Sequence, residues 1–239
     1  MISRRMFLAI TAAVVPRLLW SATSALGVPT MLDHILLGCS DLDHGITFVE
    51  QHTGVRPAIG GVHPGRGTRN ALLSLGELHY LEVISPDPAQ SGKKISRESM
   101  VKQLTSLTSP RIIEWAVHTS DIDGVAQRLR KAGIAFDGPT PGSRTRPDGR
   151  VLNWQTLNLK DDREGMLPFF IQWGGGTVHP SVDSPAGCTL QSFAVGGPKP
   201  TDLASLFRQL GIEVRVDKVA RPQLRVQIEG RSGGLELLS

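Results

Sequence analysis

The chain is poor in three things that often announce a function. It has only two cysteines, Cys39 and Cys188, in 239 residues. Each lies beside the opening strand of a repeated unit, where a small core residue is a better reading than a disulfide framework or a metal cluster. It has no clustered basic face. The formal charge is +4, but Arg4, Arg5 and Arg17 sit in the first 25 residues, which hold no acid. Leaving those three out of the 26 Lys and Arg puts 23 against 22 Asp and Glu. A near-neutral chain without a basic patch argues against a nucleic-acid partner. Nor does it have an apolar run of membrane-spanning length. The stretch MFLAITAAVV reaches about half the needed length and is closed by Pro16 and Arg17.

What is present at the N-terminus reads as an export signal over residues 1–25. It has a basic start, a short apolar stretch and the small residues SATSA. SRRMFLA resembles the twin-arginine motif that exports folded proteins; an ordinary secretory signal or an uncleaved anchor are the alternatives. Cleavage is expected after Ala25, leaving a periplasmic or secreted protein with no stable membrane insertion.

The rest of the chain carries one unit three times. LDHILLGCSDLD and IIEWAVHTSDID align, setting His34 opposite Glu114, Asp41 opposite Asp121 and Asp43 opposite Asp123. The closing segments HYLEVIS, FFIQWGG and GLELLS put Glu82, Gln172 and Glu236 in register. Apolar positions at helical spacing follow each opening strand and stop at TGV, AGI and LGI. This predicts an α+β protein of tandem βαβββ modules. The first spans 31–85, a linker with one short helix 86–110, the second 111–175 and the third 188–239. The third module has no fourth partner. It should cover a sheet edge or face on the first two or on a second copy, as a homodimer.

Side chains alternate along a strand, so pairing the first two units brings His34, Glu82, Glu114 and Gln172 to the middle of one concave sheet. One imidazole, two carboxylates and an amide oxygen form a mixed N/O set suited to a divalent cation. Gly60, Gly61, Gly65 and Gly67 are not a P-loop, since no GK[ST] follows. They read as a turn with His63 and Arg69 at the pocket rim. The matching loop SRTRPDGRVLNW offers Arg144 and Arg146 to a carboxylate or phosphate of a ligand. Glu236, whose opening-strand counterpart is Ser192, reads as structural.

The paired modules, the DH of the opening strand, GGVHPGRGTRNALLSLG and YLEVISPDP resemble the vicinal oxygen chelate superfamily, and within it glyoxalase-like proteins. The resemblance covers roughly Leu32 to Trp173. It implies one ligand from the first and one from the last strand of each module, again His34, Glu82, Glu114 and Gln172. The ion would be Zn, Fe, Mn, Ni or Co, acting on a small oxygen-rich molecule. Gln172 cannot accept a proton where the family's base usually lies, so the resemblance leaves Glu82 as the catalytic base. The activity implied is that of a metal-dependent lyase, isomerase or dioxygenase. The alternative is a protein of the same fold that binds or sequesters a small molecule without chemistry.

Overall fold

A computed structural model describes residues 27–239. The export signal expected over 1–25 lies outside the described residues.

The first unit opens with β1 (Leu32–Gly38), buried at every position. It continues into α1 (Leu42–Thr53), capped by Asp41, whose carboxylate accepts from His44 N. Leu42, Ile46 and Val49 are its buried face, and Gly54 ends it in the left-handed conformation. Then come β2 (Ala58–His63), β3 (Thr68–Ser74) and β4 (Tyr80–Pro86). The connector forms α2 (Glu98–Thr105), which buries Met100 and Leu104 against Leu36, Ile84 and Ile113. The second unit repeats the order with β5 (Arg111–His118), α3 (Ile122–Lys131), β6 (Phe136–Thr145), β7 (Val151–Leu159) and β8 (Phe169–Trp173).

These eight strands make one sheet in the order β2-β3-β4-β1-β5-β8-β7-β6. Within each unit the first strand runs parallel to the last, and β1 and β5 join the units antiparallel. The expected pairing of two βαβββ modules is therefore present, with a pseudo-twofold axis between β1 and β5. The sheet curls until its ends meet. A β-carbon on Gly60 of β2 would fall 2.4 Å from Arg144 Nη1 and 2.4 Å from Asn70 Oδ1. One on Gly61, whose φ is 137°, would fall 2.8 Å from the Thr145 carbonyl of β6.

Two differences from the expectation concern this second unit. The segment read as a loop around Arg144 is the end of the long strand β6, paired with β7 from Phe136 to Thr145. Gly138, Pro139, Pro141 and Gly142 look like breakers in sequence. An edge strand tolerates them because one side of its backbone needs no ladder partner. The other difference is the register of β8, described with the site below.

The third unit comprises β9 (Thr189–Gly197), α5 (Pro200–Leu210), β10 (Arg215–Lys218), β11 (Gln223–Glu229) and β12 (Gly234–Leu238). A short helix, α4 (Pro180–Asp183), precedes it. It keeps the βαβββ order but forms its own sheet, β10-β9-β11-β12. Here the first strand pairs in parallel with β10 and is separated from the last strand by β11. Glu236 is exposed on β12 and pairs with Arg225 at 2.8 Å, a surface contact. The unit covers the outer face of the large sheet: Trp115 of β5, 0% exposed, has Phe193 at 4.6 Å and Phe207 at 6.0 Å between ring centroids. One apolar core thus runs through all three units.

Candidate active site

The inner face of the curled sheet lines a cleft that encloses about 610 Å³ of atom-free space, its open mouth included. His34, His63, Asn70, Glu82, Glu114 and Arg144 all face it.

Two β-bulges build its centre. Leu32 pairs with Val117 and His34 with Ala116, leaving Asp33 as an extra residue on β1. Leu36 pairs with Glu114 and Leu37 with Ile112, leaving Ile113 as an extra residue on β5. The two bulges are related by the pseudo-twofold. A bulge breaks the alternation of side chains, so Asp33 reaches the same side of the sheet as His34.

The Asp33 carboxylate is 1% exposed and fully engaged. Oδ1 lies 2.6 Å from His34 Nδ1. Oδ2 accepts from Trp173 Nε1 at 2.9 Å and lies 3.2 Å from His179 Nε2. Burial pushes its acid up, but the hydrogen bonds from His179 and His34 outweigh this and hold it well below the usual carboxylate range. An ionised Asp33 fixes the proton of His34 on Nδ1 and turns Nε2 to the cleft. Tyr80 stacks on the ring at 4.5 Å, and Phe169 meets it edge-on at 5.5 Å.

Glu82 on β4 is 7% exposed. Its Oε1 accepts from Asn70 Nδ2 at 2.6 Å, while Oε2 faces His34 Nε2 at 3.5 Å. Burial raises its pKa, but His63, His34, the Asn70 hydrogen bond and Arg144 together lower it below the ordinary value. His63 stands 3.6 Å from Glu82 Oε1 and holds Thr68 Oγ1 at 2.8 Å. Burial carries its pKa down to about 4 despite Glu82, so His63 is neutral at physiological pH. Glu114 on β5 faces Arg97 at 3.6 Å through Oε1. Its Oε2 is buried with no hydrogen-bond partner among the described residues. Burial raises the Glu114 pKa and Arg97 offsets this only in part.

Three of the four residues expected as metal ligands, His34, Glu82 and Glu114, therefore share the cleft. Gln172 does not. Its Oε1 accepts from Ile122 N at 2.7 Å, at the start of α3 on the other side of the sheet. The strand register gives the reason. In the first unit Leu36 pairs with Glu82; in the second Ala116, the equivalent of Leu36, pairs with Phe169. Phe169, not Gln172, occupies the place of Glu82, so the fourth position is apolar. Among the described residues, no three His, Cys, Asp or Glu side chains are drawn into a formed metal site.

The expected ligand-binding residues divide in the same way. His63 and Arg144 line the cleft. Arg144 reaches across from β6 to donate to Asn70 Oδ1 at 3.1 Å. Arg69 alternates onto the opposite face with Ala71 and Leu73, which belong to the main core. Arg146 pairs with Asp183 outside the cleft. Sequence reasoning passed over Asp33, Arg66, Asn70 and Arg97. The DH dipeptide and the GRGTRN segment held three of them, but nothing in their spacing separates them from an ordinary strand and turn.

A curled sheet of two pseudo-symmetric βαβββ modules around a cleft is the vicinal oxygen chelate fold. The chain belongs to the glyoxalase-like domain family, whose description matches residues 32–211. No curated protein matches it. Among solved structures, a hypothetical protein from Staphylococcus aureus is similar at a TM-score of 0.57 with 16% identity, covering 87% of this chain and 84% of the other. Methylmalonyl-CoA epimerase from Mycobacterium tuberculosis is similar at a TM-score of 0.41 and 22% identity, covering 63% and 91%. A variant of the Streptomyces coelicolor methylmalonyl-CoA epimerase, solved with 2-nitronate-propionyl-CoA, is similar at 0.45 and 22%, covering 61% and 98%.

Proposed function

We propose that the protein is a lyase or isomerase that moves a proton at a carbon beside oxygen in a small molecule, with His34, Glu82 and Glu114 as ligands of a divalent cation. The supporting observation is the way each side chain is half-tied. His34 is fixed through Nδ1 by Asp33, Glu82 through Oε1 by Asn70, and Glu114 through Oε1 by Arg97. The second donor of each is left without a strong partner, and Glu114 Oε2 is buried and unpaired. Outer partners that orient the ligating atoms are what a metal set requires. A bound dication would polarise a ligand oxygen as a Lewis acid.

Glu82 is the base in this reading. It is ionised, it faces the cleft, and Asn70 anchors one oxygen; the other would loosen from the ion to reach a ligand proton during turnover. His63 lies 3.6 Å from Glu82 Oε1, and burial carries its pKa down to about 4.

The second reading is a binding protein that uses the same cleft without turnover. Phe169 at the fourth place and Arg97 beside Glu114 favour it. Elemental analysis of the purified protein, followed by calorimetric titration with Zn, Mn, Ni, Co and Fe(II), separates the two. The enzyme reading expects about one equivalent of ion, lost in His34→Ala and Glu114→Ala, and retained without turnover in Glu82→Gln. A protein that takes up none of these ions leaves only the binding reading. Export by the twin-arginine route is part of the proposal. Arg4→Lys with Arg5→Lys should hold the precursor inside the cell, and unchanged export would rule that route out.

A further inference from the structure

Two arginines in the cleft form no ion pair with an acidic side chain among the described residues. Arg144 is 4% exposed, and its hydrogen bond goes to the neutral Asn70. Arg66, half-buried on the β2–β3 turn, lies over the Trp154 ring at 5.8 Å and forms no ion pair. The third, Arg97, is already matched by Glu114. A buried guanidinium without a counter-charge is costly, and such groups are ordinarily paired. Burial lowers the pKa of both Arg66 and Arg144, the mark of that cost. Glu82 offsets it only in part, and Asn70 stands between Glu82 and Arg144. Its amide nitrogen is 2.6 Å from Glu82 Oε1, and its carbonyl oxygen is 3.1 Å from Arg144 Nη1.

The same cleft also has an apolar side. Trp154, Trp173, Phe169, Met100, Leu36 and Ile84 form it. A fitting ligand therefore has an anionic head and an apolar body. One side-chain amide separates Arg144 from Glu82, so an anion seated on Arg144 sets its neighbouring carbon beside Glu82 and His34. An anion one bond from an oxygen-bearing carbon is a 2-oxo or 2-hydroxy carboxylate.

From this we infer that Arg144 and Arg66 are the anion-recognition pair of the cleft, and that the substrate class is a 2-oxo or 2-hydroxy carboxylic acid with an apolar substituent. The inference rests on the proposed reading of this cleft as the ligand site, but not on a bound metal. A planar guanidinium takes a carboxylate through two parallel hydrogen bonds. Beside the apolar side of the cleft, that pairing selects for an anionic ligand.

The test is calorimetric titration of the mature protein with phenylpyruvate, its methyl ester and phenyl phosphate, as purified and again after chelator treatment. The acid should bind about tenfold or more tighter than the ester in both preparations. Arg66→Gln and Arg144→Gln should each weaken the acid by about tenfold and leave the ester unchanged. Arg66 is half-exposed, so its variant remains informative if the buried Arg144 variant fails to fold by circular dichroism. Equal binding of acid and ester, failure of all three to bind, or an acid preference that survives in the Arg66 variant overturns the inference. Phenyl phosphate binding more tightly than the acid overturns the carboxylate assignment. A clear acid preference in a protein that binds no metal and turns nothing over supports this inference while sinking the proposed enzyme.

Discussion

Asp33 and His34 are adjacent in one strand, yet their side chains touch, with Asp33 Oδ1 2.6 Å from His34 Nδ1. In a regular strand they would point to opposite faces. The bulge at Asp33 removes that constraint and turns a dipeptide into an oriented pair. The amide of Asp33→Asn cannot carry the charge that holds the proton on Nδ1. The variant should show a shift of the His34 tautomer toward Nε2–H, read by nitrogen-15 chemical shifts of the imidazole. It should also lose about 2 kcal/mol of stability in urea unfolding, the scale of a hydrogen bond to a charged group. An unchanged tautomer would mean that Asp33 does not orient His34.

Gln172 tests the register of β8. Its side-chain oxygen serves the backbone at Ile122, where α3 begins. Gln172→Ala should cost about 1 kcal/mol, as removal of a helix-start acceptor does. It should leave ligand affinity in the cleft unaltered. A large loss of binding with little loss of stability would return Gln172 to the site.

Phe193 tests the third unit. Its ring is 0% exposed and packs on Trp115, and neither residue lines the cleft. Phe193→Ala should destabilise the whole chain by about 4 kcal/mol, in a single unfolding transition, because one core runs through the three units. Two separate transitions in calorimetry would show that the third sheet folds independently of the other two.

The two cysteines test the interior. Both are free and buried. Burial pushes the Cys39 thiol up to about 12, and raises that of Cys188 as well. The thiolate is the reactive form, so neither should react with a thiol reagent at pH 8 in the native protein. Both should react once guanidinium is added. Rapid native labelling at one site would show that the surrounding packing opens.

Much of the architecture was legible because repetition and periodicity agree. Asp41 and Asp121, aligned from the sequence alone, are the two helix caps that accept from His44 N and Gly124 N. His34, Glu82 and Glu114 were found because a polar side chain in a buried strand is conspicuous. Gln172 was placed wrongly for the same reason. It was the polar residue nearest the expected place, whereas hydrogen-bond register puts Phe169 there. Arg144 and Arg146 are two apart on one hairpin, and only the pairing of β6 with β7 and the ion pair to Asp183 divide their fates. Strand parity alone could have turned Arg69 away, since Asn70 beside it faces the cleft. The bulges at Asp33 and Ile113 left no mark in the periodicity, since the strand positions on either side of each extra residue are mostly buried whichever face they take.

Gly60 sits where the two ends of the large sheet approach, and the atom it lacks sets the spacing between Arg144 and Asn70. The breadth of the cleft is thus governed by a position that need not touch any ligand. A methyl group there would wedge the first module from the second, and with them the guanidinium from the base. Selectivity for ligand size could drift through this one glycine in related chains while every polar group of the cleft stayed the same.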